Sequence, residues 1–157
     1  MSLAALGGVT VRKLKRVEGG QSPVRIVHQF LLDIGGSPSD DELQESLRAT
    51  RRWQVQIPEV GPLVVELESA GKSNDVIITL AFSLITVSIK NSLPTLIAAL
   101  ELSKPLVGCR LYLEENHLMI AASLCGDAVS NETLSLHYEL IKSQRELLIR
   151  SLHKYRG

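Results

Sequence analysis

Residues 108–124 read GCRLYLEENHLMIAASL, and two readings compete for them. Glu114 and Glu115 stand beside His117, with Cys109 near one end and Cys125 just past the other. Those residue types can hold a metal or build a nucleophile. The stretch also alternates like two strands joined by a tight turn. Register decides between the two. With Glu115 and Asn116 at the centre of the turn, Glu114 faces His117, Leu113 faces Leu118, Leu111 faces Ile120, Cys109 faces Ala122 and Val107 faces Leu124. Every pair on the face of Leu111 and Leu113 is then apolar, and Arg110, Tyr112, Met119 and Ala121 take the other face. A loop one residue longer sets Leu113 against His117 and Leu111 against Met119, because one step of slip reverses a strand's face. Asn116 suits the positive φ that tight hairpins need. The hairpin sends Cys109 inward among aliphatic side chains, as unreactive cysteines usually lie. It leaves Cys125 too far along its strand to share an ion with His117. Only Glu114 and His117 remain as cross-strand neighbours, and two ligands at an exposed tip make no strong site.

Working outward, Ser130 or Asn131 caps a long helix running to about Tyr155, with Glu132 in its first turn. Leu134, His137 or Tyr138, Ile141, Leu148 and Leu152 recur every three or four residues, while Lys142, Glu146 and Arg150 are polar. Upstream, NSLPTLIAALELSKP is helical: Asn91 or Ser92 caps it, Pro94 sits in the first turn and Pro105 stops it. Leu93, Leu96, Ile97, Leu100 and Leu102 are expected to include its buried stripe.

Before that helix the period is two. WQVQI puts Trp53, Val55 and Ile57 on one side and Gln54 and Gln56 on the other, the pattern of a half-buried strand. Pro58, Gly61 and Pro62 force a turn. LVVELES and DVIITLAFSL are the next strands, joined by the small and polar AGKSND. ITVSIK either extends the third strand or starts another after a bend, and this long apolar run suits a central strand. Nearer the N-terminus, Pro23 opens a helix to about Ile34 with Val24, Val27, Phe30 and Leu31 on its apolar face. A second short helix is expected from Ser39, with Asp40, Asp41 and Glu42 in its first turn and Leu43 and Leu47 on one side. Residues 1–22 read as an N-terminal arm or strand, and residues 23–157 as one domain. The order of helices, three or four strands, helix, hairpin and long helix predicts an α+β fold, an antiparallel sheet covered by helices.

Composition narrows the functions. The chain has 157 residues, and its 17 Lys and Arg balance 17 Asp and Glu, so charge as a whole supplies no pull toward nucleic acid or an anionic membrane. Basic residues are grouped only locally, at Arg12, Lys13, Lys15 and Arg16 and at Arg48, Arg51 and Arg52. One Trp, three Tyr and two Phe are too few to suggest stacked-base recognition. Two cysteines make neither a disulfide framework nor a zinc pattern. MSLAALGGV lacks the basic residue that opens a secretion signal, and no run is long enough to span a membrane, so a cytoplasmic protein is expected. GGVT, EGGQS and DIGGS lack the order of a dinucleotide loop, and AGKS lacks the leading glycines of a phosphate loop. His28, His137 and His153 find no partner at a catalytic spacing. No cofactor or metal is expected.

Residues 102–152, LSKPLVGCRLYLEENHLMIAASLCGDAVSNETLSLHYELIKSQRELLIRSL, resemble the C-terminal part of YbjN-like domains, which share a structural superfamily with the bacterial type III secretion chaperones. The common pattern is a helix ending before a short linker, a hairpin with an acidic tip, and an AVSNETL-like entry into a long final helix. The preceding strands and helix fit as well, so the resemblance spans residues 53–155. It implies a secretion-chaperone-like sheet packed on helices and frequent dimerisation. Secretion chaperones bind extended segments of client proteins, whereas YbjN-like proteins have no established enzymatic activity.

Residues and resemblance together predict a non-enzymatic protein-interaction module, a homodimer of chaperone-like or regulatory type. Leu136, Leu140 and Leu147 lie off the main stripe of the last helix and are the expected interface. A small-ligand-binding protein or enzyme is the first alternative, requiring a pocket where His28 or His137 meets carboxylates. Nucleic-acid binding is the second, requiring the two N-terminal basic groups to adjoin.

Overall fold

The structure, a computed structural model, describes residues 22–39, 50–69, 76–125 and 128–155. The expected arm before Ser22, the body of the second short helix and the AGKSND connection lie outside these residues. Three α-helices are described: α1 (Pro23–Asp33), α2 (Ser92–Ser103) and α3 (Asn131–Leu152), the last running into a 3-10 turn at His153–Tyr155. The strands are β1 (Thr50–Ile57), β2 (Gly61–Ser69), β3 (Val76–Thr86), β4 (Arg110–Glu114) and β5 (His117–Cys125). They form one five-stranded antiparallel sheet in the order β1-β2-β3-β5-β4. The fold class is the α+β arrangement expected, with β3 central and the C-terminal helix the longest.

The hairpin register is the predicted one at Glu114↔His117, Leu113↔Leu118 and Leu111↔Ile120. Cys109 and Val107 do not continue it, because β4 begins at Arg110 and Gly108 turns the chain at φ 77°. The turn also differs in one detail: Glu115, not Asn116, carries the positive φ, at 57°. ITVSIK resolves into the end of β3 at Thr86, with an irregularity between Ser83 and Ile85 that re-aims the strand. Arg145 of α3 answers that irregularity, its Nε donating to the Ser83 carbonyl at 3.1 Å and its guanidinium lying 5.3 Å from the Phe82 ring centre.

One sheet face is the main core. Trp53, Val55, Ile57, Leu63, Val65, Ile78, Leu80, Phe82, Leu118 and Ile120 point into it, against Val27, Phe30 and Leu31 of α1 and Leu134, Tyr138, Ile141, Leu148 and Leu152 of α3. Tyr138 takes the position left open between it and His137, and meets Phe30 and Phe82 at ring-centre distances of 5.8 Å. His137 sits half-buried beside it, its Nδ1 paired with the Thr133 carbonyl at 2.8 Å. The helix ends follow their sequence signals. Ser22 caps α1 ahead of Pro23, and Gly35 at φ 93° closes it. Ser130 and Thr133 form a reciprocal capping box at the start of α3. Asn131 Nδ2 donates to Asp33 at 2.6 Å, tying the end of α1 to the start of α3.

The second face is not plain solvent-facing sheet. Val64, Ala81, Met119 and Ala121 form a small buried cluster there with Tyr112 packed on it. Above the cluster, Arg52 of β1 bonds Glu66 on its neighbour strand at 3.0 Å and Glu114 of β4 at 2.9 Å. Strands β1 and β4 are the two opposite edges. In a flat sheet they lie about 19 Å apart, four spacings of about 4.8 Å. The pairing rows add an offset along the strands, because Arg52 lies in the row of Ser123 and Glu114 in the row of His117, six residues away (123 − 117). Two side chains cannot span that diagonal. The sheet is therefore strongly coiled, with two diagonal corners brought together over a concave face.

Candidate interaction surfaces

Among the described elements, helix α2 is the one whose buried face differs from the expected stripe. Its buried residues are Thr95 and Ala99, while Leu93, Ile97 and Leu100 are 67%, 54% and 68% exposed. The cause is its seat. Asn91 Nδ2 reaches the Tyr155 carbonyl at 3.3 Å, and a Cβ placed on Gly108 would stand 3.2 Å from Leu140 Cδ2. These two contacts hold the start of α2 beside the end of α3 and the α2–β4 connection beside Leu140, with the small residues Thr95 and Ala99 turned inward. The large aliphatic side chains are left outside, on a helix that is apolar nearly all round. Such a helix is ordinarily covered on both sides.

Beside α2 runs edge strand β4. Between them lies a groove of about 290 Å³ lined by Leu96, Leu100 and Ser103 of α2 and by Leu111, Tyr112, Leu113 and Leu118 of the hairpin. Among the described residues no strand pairs with the outer edge of β4. An apolar floor next to an open strand edge is the physical form of a site that adds a strand.

On α3, Leu136 and Leu147 are 65% and 55% exposed, and Leu140 is half-buried against Gly108. The three share one flank of the helix, on the side of the α2–β4 connection. The sequence places these three off the main stripe of α3, and it assigns Leu93, Ile97 and Leu100 to a buried stripe, whereas they are exposed beside this flank. The missed signal is the pair of small residues four apart, Thr95 and Ala99, which marks the inward face.

The chemical readings come apart residue by residue. Glu114 pairs with His117 in register, but its carboxylate goes to Arg52, and the nearest hydrogen-bonding group to His117 Nδ1 is Thr86 Oγ1 at 3.5 Å. The hydrogen bond from Arg52 to Glu114 raises the guanidinium pKa further. Tyr112 is pushed up by burial first and by Glu114 and Glu66 next. Cys109 packs at the border of the core, and burial raises its thiol pKa. Cys125 is exposed at the far end of β5. Among the described residues no three metal-donor side chains are grouped. Of the basic groups, Arg12 to Arg16 and Arg48 lie outside the described residues. Arg51 is buried on the core side, and Arg52 points to the concave side, held by two carboxylates. Among the described residues no helix is long and apolar enough to cross a membrane.

No protein-family model matches the chain, and no curated protein sequence matches it. Solved structures do. It is similar to YbjN from E. coli, described as a candidate transcription regulator, with 14% identity and a TM-score of 0.50 over 82% of this chain and 89% of that one. It is also similar to an uncharacterized protein from Methanothermobacter thermautotrophicus, with 13% identity and a TM-score of 0.51 over 85% and 99%. The Yersinia pestis type III secretion chaperone SycH, solved in complex with a fragment of YscM2, aligns at 16% identity and a TM-score of 0.44 over 81% and 99%. The chain thus has a YbjN-like fold, as residues 102–152 suggest, and at these identities the likeness is one of fold.

Proposed function

We propose that this chain is a non-enzymatic protein-interaction module, chaperone-like or regulatory, that works as a homodimer in the cytoplasm. The observation that carries the reading is the reversed helix α2, which turns Leu93, Ile97 and Leu100 outward beside an open strand edge. Leaving three large aliphatic side chains in water forgoes about 1.5–3 kcal/mol of burial for each, a cost that an interface removes. The flank of Leu136, Leu140 and Leu147 continues the apolar surface and belongs to the same interface. The YbjN-like fold supports the reading at the level of scaffold. In this role the sheet presents edges, and a segment of a partner protein adds to one of them as a strand.

Static light scattering at low micromolar concentration tests the homodimer. The expected mass is twice that of the chain, falling to one chain in Ile97→Glu, whose circular dichroism spectrum is unchanged because the side chain is exposed. A monomeric wild type overturns the reading.

A further inference from the structure

Among the described residues the most exposed large aliphatic side chain is not on a helix. Ile89, 97% exposed, stands in the turn between β3 and α2. That turn is well tied. Asn91 N donates to the Ser88 carbonyl at 3.1 Å, Ser92 Oγ donates to the carbonyl of Ile89 itself at 3.2 Å, and Asn91 Nδ2 crosses to the Tyr155 carbonyl at 3.3 Å. A bonded turn thus holds in water a side chain that burial would stabilise.

Cations stand around it. Lys90 follows Ile89 in the chain, and the contact between Asn91 and Tyr155 sets the same turn against the end of α3. There Arg150, His153 and Lys154 are three and four residues apart and share one side. All four are exposed, and among the described residues none has a carboxylate partner. Helix ends do not account for them. α3 finishes and α2 starts at this corner, so their end charges, about half a unit each and opposite in sign, offset one another. The first turn of α2 carries no acidic residue. Glu146 stands one turn back from Arg150, and the hairpin tip with Glu115 reaches the start of the turn, where Val87 N donates to the Asn116 carbonyl at 2.7 Å. Neither carboxylate forms an ion pair with these cations.

We infer that this corner docks an acidic segment of a partner protein, which sets carboxylates against Lys90, Arg150 and Lys154 and an aliphatic side chain against Ile89. The inference rests on the protein-interaction reading and adds to it a contact at the end of α3 and the chemistry of the partner. Ile89 decides among the anions. A nucleic-acid strand is held by phosphate contacts and by rings that stack on its bases. The one ring here, Tyr155, is half-buried with the Lys154 ammonium 5.3 Å from its centre. An anionic membrane is drawn by clusters of about 4–8 Lys or Arg, and Lys90, Arg150 and Lys154 fall short of that. A segment that interleaves carboxylates with leucines meets both the charge and the isoleucine.

The probe is a fluorescein-labelled peptide of repeated Glu-Glu-Leu, followed by fluorescence anisotropy against the full chain, with an all-Glu peptide of equal length beside it. The Glu-Glu-Leu peptide is expected to bind the more tightly. Its affinity should fall about tenfold or more between low salt and 1 M, where the screening length is about 3 Å. Lys90→Glu and Lys154→Glu should each weaken it about tenfold or more. Ile89→Ser should lower it several-fold, to the level of the all-Glu peptide, whose own binding that change leaves alone. These side chains are exposed, so the circular dichroism spectrum and urea midpoint of each variant stay those of the wild type. Equal binding of the two peptides, indifference to Lys90→Glu and Lys154→Glu, or tighter binding of an oligothymidylate or of phosphatidylserine vesicles overturns the inference. A dimeric wild type that ignores the Glu-Glu-Leu peptide removes the corner and leaves the homodimer standing. A monomeric wild type that binds it keeps the corner and removes the homodimer.

Discussion

Arg52 and Glu114 are 62 residues apart in sequence and on opposite edges of the sheet, so their contact measures the coil of the whole sheet. A double-mutant cycle with Arg52→Met and Glu114→Gln isolates it, read from urea midpoints in a buffer of low ionic strength. Both partners are partly exposed, so the full Coulomb energy of a close pair does not apply. Exposed pairs measure roughly 0.2–1 kcal/mol, and a two-pronged guanidinium contact belongs near the top of that range. Arg52 gives two such bonds to Glu114, at 2.9 and 3.3 Å, so the expected coupling is about 0.5–1 kcal/mol. At 1 M salt the screening length falls to about 3 Å and most of the coupling should vanish. The cycle for Arg52 and Glu66 is the control, because those two face each other across neighbouring strands whatever the coil. Coupling for the control but none for Glu114 at low salt would show that the two corners do not meet.

Thr95 is fully buried on the inward side of α2, and its hydroxyl has no hydrogen-bond partner among the described residues. Thr95→Val should therefore raise stability by about 1 kcal/mol, measured by the urea midpoint, since it removes an unmet polar group at nearly constant shape. Phe82→Ala removes a ring packed against Tyr138 and Arg145, and should cost about 3–5 kcal/mol in the same assay. With a thiol reagent at mildly alkaline pH, mass spectrometry should find Cys125 modified first and Cys109 slowly, because burial holds the Cys109 thiol protonated above its ordinary value of 9.0. Asp33 accepts bonds from Asn131 and, less strongly, from Gln29, which lower its pKa below the ordinary 3.8. The sign follows from the lowered folded value: this support is complete above 3.8 and is lost as pH falls through the folded pKa. Asn131→Ala should lower stability at neutral pH and flatten the acid limb of the stability profile below that point. An unaltered acid limb would exclude Asn131 as the cause.

The hairpin was readable because alternation acts over neighbouring residues. Shifting Leu111, Leu113, Leu118 and Ile120 by one place spoils both of their pairs at once, so a single register survives. The long helix was readable for the same reason: one stripe from Leu134 to Leu152 leaves little freedom. Helix α2 was not, because a segment apolar on nearly every side carries no direction in its hydrophobicity. Its facing is set by tertiary packing that turns Thr95 and Ala99 inward, small residues that hydrophobic counting passes over. The corner contact was hidden for a different reason. Arg52 and Glu114 become neighbours only through the summed twist of five strands, and no local pattern records that sum. The positive φ at Glu115 is a smaller case, in which the turn imposes a backbone conformation on the residue that happens to stand first.

The strand order has a consequence in time. β3 is paired on one side by its sequence neighbour β2 and on the other by β5, whose last residue, Cys125, comes 39 positions after the end of β3 at Thr86 (125 − 86). At a synthesis rate of about 5–20 residues per second, that separation is a delay of roughly 2–8 s. Throughout it the β1-β2-β3 meander can form, yet the far edge of β3 and the inward side chains of Ile78, Leu80 and Phe82 have neither β5 nor α3 to close on. The nascent chain thus passes through an interval in which its most apolar strand is half paired, and a slowed ribosome between Thr86 and Cys125 would lengthen it.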